Sequence, residues 1–164
     1  MLVEPISRSH ARKRFDYGDK EVTHFLQEQA LQDQERDLSR TMVLVDEQVD
    51  PTRIVGYHNL LMAQVKQEEI RGDRPRIKRA IPVILLGQLG IDREFQGRGC
   101  GGLMLVDAQA RVDEISRRTG VRAMMLDARN ESFALWNERY DFIRFPDQFR
   151  MFKSIEAIRA LKLI

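Results

Sequence analysis

Apolar positions recur at helical spacing at Val22, Phe25, Leu26 and Ala30, and Asp19 just before them is placed to cap the first turn. This pattern fades near Asp37, where the period changes. Thr41-Met-Val-Leu-Val reads as a buried strand and Ile54-Val-Gly-Tyr opens a second, with a turn at Asp50-Pro51 between them. A third strand follows Pro82. Its run from Val83 to Ile91 is almost wholly apolar, which predicts a central strand covered on both faces. Leu105, Ala108, Val112 and Ile115 then mark one face of a helix that runs to about Thr119 and stops at Gly120. Val121 to Leu126 reads as another strand. Asn130 is placed to cap a short helix that carries Phe133, Trp136 and Tyr140 inward. Phe142 to about Lys153 predicts a final hairpin, and Ile155 to Leu161 a terminal amphipathic turn. An antiparallel first half followed by alternating strands and helices gives a mixed α/β or α+β sheet. No repeat interrupts it, so one domain is expected over residues 1–164.

Composition narrows this picture. With 43% hydrophobic and 32% charged residues the chain is ordinary globular material, long enough to bury a core without a disulfide or metal staple. The lone Cys100 cannot form an internal disulfide, which fits a reducing cytoplasm. The longest apolar run, Ala80 to Leu86, is far short of a membrane span, and the first residues lack a signal-peptide core. No membrane association is expected. His10, His24 and His58 lack metal-ligand spacing, so no metal site is expected either.

The formal net charge of +2 hides an uneven distribution. Arg71, Arg74, Arg76, Lys78 and Arg79 face only Asp73 within nine residues, so the rest of the chain is slightly acidic. Such a segment suits an anionic partner such as phosphate or nucleic acid, or serves as a solvated loop beside Pro75.

The chemistry concentrates after the third strand. In Gln96-Gly-Arg-Gly-Cys-Gly-Gly102 four glycines lie within six positions, between a strand and a helix N-terminus. Glycines there let backbone N–H groups approach a ligand, and the helix dipole favours an anion. A diphosphate is the natural guest, with Arg98 as an added cation. A P-loop would need Gly-Lys-Ser/Thr entering the helix, whereas Gly101-Gly102-Leu103 stands here. A dinucleotide fingerprint is met formally by Gly97, Gly99 and Gly102, but Ser116, Arg117 and Arg118 stand where an acid is expected.

The remaining reading is coenzyme A. Gln96-x-x-Gly99-x-Gly101 after a strand and before an amphipathic helix resembles the acetyl-CoA signature of the GCN5-related N-acetyltransferases. Arg14-Phe-Asp-Tyr-Gly, Phe25-Leu, Ala30 with Gln34, Ser39-Arg-Thr-Met-Val, Ile54-Val-Gly-Tyr, Pro82 to Asp92 and Met151-Phe-Lys-Ser-Ile-Glu-Ala-Ile resemble, in order, the toxin branch of that family. The resemblance implies a single domain with a mixed, mostly antiparallel sheet, splayed at the acetyl-CoA site. It implies that Leu89, Gly90 and Ile91 line the pantetheine. Gln96, Gly97, Arg98, Gly99, Cys100, Gly101 and Gly102 would hold the diphosphate, with Asn130 at the cofactor as well. It further implies acetyl transfer from acetyl-CoA to the amino group of an aminoacyl-tRNA, a ribbon–helix–helix antitoxin and a homodimer. The basic residues 71–79 would then meet phosphates of charged tRNA.

Two positions depart from that branch. Asn137 stands where the family carries the tyrosine that protonates the departing thiolate, and an amide can hydrogen-bond a thiolate without protonating it. Tyr140, one turn on, is either a substitute acid or part of the Phe133–Trp136–Tyr140 packing stripe. Gln88 stands where an arginine is usual. Glu69 and Asp92 are the nearest carboxylates for amine deprotonation. Transfer to a small amine or a protein amine, and a decayed acyl-CoA-binding protein, are the alternatives that the residues leave open.

Overall fold

The first element of the fold is an edge strand whose partner lies some forty residues on in the sequence. In the computed structural model, which describes residues 1–66, 79–145 and 149–161, strand β1 (Leu2–Pro5) pairs antiparallel with β2 (Arg40–Val45), Leu2 opposite Val45. The sheet continues through β3 (Gly56–Val65), β4 (Ile81–Ile91) and β5 (Ala123–Asp127) to β7 (Arg150–Ser154), and ends on β6 (Ile143–Arg144). β2–β3, β5–β7 and β6–β7 are antiparallel and β4–β5 is parallel. Five helices accompany the strands among the described residues: α1 (Lys20–His24), α2 (Ala30–Glu35), α3 (Cys100–Ser116), α4 (Glu131–Glu138) and α5 (Ile155–Arg159). The result is an α+β fold on a seven-stranded mixed sheet. No described helix is long and apolar enough to cross a membrane.

Residues 1–61 with 87–108 form one compact unit, and 62–86 with 109–164 another. In the first, Asp19 accepts from the backbone N–H groups of Glu21 and Val22 and starts α1 where the sequence places it. A π turn, Phe25–Gln29, links α1 to α2. Its extra residue shifts the apolar register, yet Val22, Leu26 and Ala30 remain fully buried with Ile6, Phe15, Val43, Val45, Ile54 and Tyr57. Phe15 meets Tyr57 edge-on at 5.4 Å, and the Tyr57 hydroxyl donates to the Val22 carbonyl at 2.6 Å.

In the second unit Val65, Ile81, Val83, Ala123, Met125 and Phe152 form the core, with Ala63, Leu85 and Phe145 packed against it. Asn130 caps α4 through Phe133 N–H at 2.8 Å, and Ser154 caps α5 through Ala157 N–H at 3.2 Å. The buried face of α4 differs from expectation. Ala134 and Asn137 are buried, whereas Phe133, Trp136 and Tyr140 are only half-buried. The aromatic stripe is an intrahelical stack, Phe133–Trp136 at 5.6 Å and Trp136–Tyr140 at 5.0 Å, with the Arg129 guanidinium 4.1 Å above Phe133. Rings that stack on one another at i, i+3 and i+7 do not need the core, which small Ala134 reaches more closely.

Candidate active site

β4 delivers the chain to the candidate site. Its parallel ladder with β5 runs from Val83 opposite Ala123 to Leu86 opposite Leu126, and β4 continues through Leu89, Gly90 and Ile91. A Cβ on Gly90 would lie 2.6 Å from Val22 Cγ1 and 2.9 Å from Tyr17 Cδ1, so α1 rests on bare backbone there. At the end of β4, Asp92 starts a 3₁₀ turn over Arg93–Phe95 by accepting from Glu94 N–H at 3.0 Å. Its second oxygen accepts from Asp16 N–H at 3.0 Å. Arg53 reaches Asp92 at 3.4 Å and Glu94 at 2.9 Å. With every contact of its carboxylate directed at the scaffold, the 2% exposed Asp92 serves the loop rather than an amine. Glu69 lies outside the described residues, as do Arg71, Arg74, Arg76 and Lys78; Arg79 is exposed.

Gln96 also serves the loop. Its side-chain amide donates to the carbonyls of Ile91 at 2.8 Å and Tyr17 at 3.2 Å, tying the glycine turn to the end of β4. Gly97 and Gly99 follow with φ of +79° and +83°, and a Cβ on either would meet nothing within 4 Å. Left-handed backbone on both sides of Arg98 is a conformation from which an anion-binding nest of backbone N–H groups can be built. Helix α3 begins at once, with Cys100 buried, Gly101 and Gly102 half-buried and no acid in its first turn. The first N–H groups of this 17-residue helix lack intrahelical acceptors, and its dipole adds partial positive charge. Arg98 is exposed and rests 5.5 Å over the Phe95 ring. The nest, the helix N-terminus and a cation therefore meet within six residues. Nothing in the sequence pattern announced the Arg53–Asp92–Glu94 brace behind them, because Arg53 comes from a turn 39 positions before Asp92.

The other predicted site residues lie on α4. Asn130 is exposed and its side-chain oxygen serves as the cap. Asn137 is fully buried: its amide nitrogen donates to the Phe133 carbonyl at 2.9 Å, and its oxygen has no hydrogen-bond partner among the described residues. Tyr140 is half-buried against Trp136. Arg144 of β6 bridges Glu131 and Glu138, at 2.6 Å each, and so spans the length of α4. This hydrogen bond holds the Glu131 carboxyl below its usual range and raises the guanidinium. Among the described residues no three histidine, cysteine or acidic side chains gather as a metal site would require.

A mixed sheet whose fourth strand passes through a glycine nest into a helix N-terminus is the architecture of the GCN5-related N-acetyltransferases, and the chain has that fold. Two relatives are more particular, and both carry toxin names. The chain is 29% identical over 149 residues to the tRNA-acetylating toxin of Mycobacterium tuberculosis, covering 90% of this chain and 87% of that one. It is 27% identical over 173 aligned positions to the probable toxin TacT of Sinorhizobium fredii, covering 98% and 94%. Among solved structures, AtaT complexed with acetyl-methionyl-tRNAfMet superposes with a TM-score of 0.89 at 21% identity, over 98% of both chains. A point mutant of the AtaT toxin, bound to the C-terminus of the antitoxin AtaR and acetyl-CoA, superposes with a TM-score of 0.82 at 22% identity, over 99% and 98%. No family model matches the chain.

Proposed function

We propose that this chain is an acetyl-CoA-dependent N-acetyltransferase that acetylates the amino group of an aminoacyl-tRNA, acting in the cytoplasm as the toxin of a toxin–antitoxin pair. The observation that carries this reading is the near-full-length likeness to tRNA-acetylating toxins, combined with an anion nest where the diphosphate of acetyl-CoA belongs. Acetyl-CoA supplies an activated thioester. Backbone N–H groups from Gly97 to Gly102 and the Arg98 guanidinium hold its diphosphate, and the Leu89–Ile91 backbone lines its pantetheine arm. Asn130 borders the cofactor while it caps α4.

The amine nitrogen bonds to the acetyl carbonyl carbon, the carbon–sulfur bond breaks, and the ammonium proton passes to solvent. Most of the acceleration comes from holding thioester and amine together. Sulfur leaves as a thiolate and can take its proton from solvent, so the step does not depend on a strong acid supplied by the protein. That makes asparagine tolerable at position 137, where the amide holds the last turns of α4. Tyr140 carries the phenol next in line to protonate sulfur. The residues at 71–79 would meet tRNA phosphates, a ribbon–helix–helix antitoxin would silence the toxin, and a homodimer would present two such sites.

Radiolabelled acetyl-CoA with bulk charged tRNA tests the reading. Label is expected on charged tRNA and absent from deacylated tRNA. Label on neither, with transfer to a small amine or a protein amine instead, would replace the acceptor; acetyl-CoA binding with no transfer to any amine would make the chain a binding protein.

A further inference from the structure

The most unusual buried group in the second unit takes no part in the chemistry above. Lys153, the fourth of the five residues of β7, is 1% exposed. Its Nζ donates to Gln109 Oε1 on α3 at 2.7 Å and to the Tyr140 carbonyl just past α4 at 2.8 Å. Gln109 is itself fully buried. Among the described residues no carboxylate lies within ion-pair distance of this ammonium. Burial holds its pKa below the usual lysine range, and the charge of Asp141 draws it partly back. An uncompensated buried cation is costly, and a methionine would fill the same space without that cost. The two acceptors explain what the lysine does there.

The carbonyls at a helix C-terminus lack intrahelical partners, and a cation there is favoured by the dipole. The chain leaving α4 turns sharply, with Asp141 at φ +66°. The Asn137 carbonyl accepts from both Tyr140 N–H at 2.9 Å and Phe142 N–H at 3.3 Å. Lys153 takes the Tyr140 carbonyl at the middle of that turn and pins it to α3 through Gln109. The side chain therefore fixes Asn137, Tyr140 and the stacked Trp136 as one body.

We infer that Lys153 is a positioning residue for acyl transfer: its two hydrogen bonds lock the C-terminal turn of α4, and with it residues 137–140, in register. The inference rests on the proposed acetyltransferase reading for its kinetic test alone. In Lys153→Met, kcat for acetyl transfer is expected to fall roughly 10–100-fold, the loss typical of an ångström-scale misplacement. Acetyl-CoA affinity by calorimetry stays at the wild-type value, because neither hydrogen bond of Lys153 reaches residues 96–102, proposed to hold the diphosphate. Trp136 is the sole tryptophan, so acrylamide quenching of its emission reads the same turn directly and is expected to rise.

A folded variant with wild-type kcat overturns the inference. So does a variant in which kcat and acetyl-CoA affinity fall by one factor, since that reports general damage. If Lys153→Met does not fold, Lys153→Gln, which keeps two N–H donors on a shorter neutral stem, is judged by the same readouts. If wild type transfers no acetyl group, the functional reading has failed, and unchanged Trp136 quenching in the variant then decides against Lys153 independently.

Discussion

Replacing Gly99 with alanine perturbs the glycine nest without touching anything else. Gly99 has φ +83°, and a Cβ built there meets no heavy atom within 4 Å, so the substitution adds no clash. What it adds is conformational cost: an L-residue in left-handed backbone costs about 1–2 kcal/mol relative to glycine. On an exposed turn the free protein relieves that cost by leaving the left-handed region. Global stability then barely changes, but the nest must be rebuilt whenever a diphosphate binds. The whole cost therefore appears in affinity, and Kd for acetyl-CoA is expected to rise about 5–30-fold.

Calorimetric titration with acetyl-CoA measures that rise, and a thermal melt measures the unchanged fold. Gly90→Ala is the counter-case. Its Cβ would come within 2.6 Å of Val22 and 2.9 Å of Tyr17, so the cost falls on folding, about 1–3 kcal/mol, and Tm drops by several degrees. Unchanged acetyl-CoA affinity in Gly99→Ala with an intact fold would refute the assignment of this turn to the diphosphate.

Three further outcomes follow from other contacts. Tyr57→Phe removes the 2.6 Å donor from the buried Val22 carbonyl, which keeps the Phe25 N–H, and should cost about 0.5–1.5 kcal/mol in a urea titration. Asn137→Tyr places a ring at a fully buried position and should destabilise the fold by about 1–3 kcal/mol, read in the same assay, rather than improve on wild type. Glu131 is held below its usual range by Arg144, so the tie from β6 to α4 is fully present above the ordinary glutamate pKa of 4.5. It is lost as pH falls through the lowered folded value, and an acid titration of Trp136 emission should show that loss in wild type and not in Arg144→Gln.

The parts legible in the sequence are those written into local chemistry. Asp19 and Asn130 mark helix starts because a side-chain oxygen satisfies N–H groups two or three residues on. The run Val83–Ile91 declared a central strand, and the glycines between Gln96 and Leu103 declared a tight turn into a helix. β1 was not legible, because its half-exposed residues become a strand only against Val43–Val45, some forty residues later. The π turn at Phe25–Gln29 was hidden because its apolar spacing still fits an ordinary helix. At the site, sequence named the loop but not its brace: Arg53, Asp92 and Glu94 converge only in three dimensions. The inward aromatic stripe on α4 was misjudged for a similar reason, since intrahelical stacking and core packing share one spacing. Lys153 stood in the sequence as the end of a predicted hairpin, and only the fold buries it.

The most direct test of the central claim is mass spectrometry of the aminoacyl-adenosine released by nuclease from charged tRNA after incubation with the protein and acetyl-CoA. The account predicts an acetyl group on the amino nitrogen of the attached amino acid, and initial rates lowered about 5–30-fold in reactions with Gly99→Ala at acetyl-CoA concentrations below the wild-type Kd. Aminoacyl-adenosine left unmodified by wild-type protein that binds acetyl-CoA would contradict it.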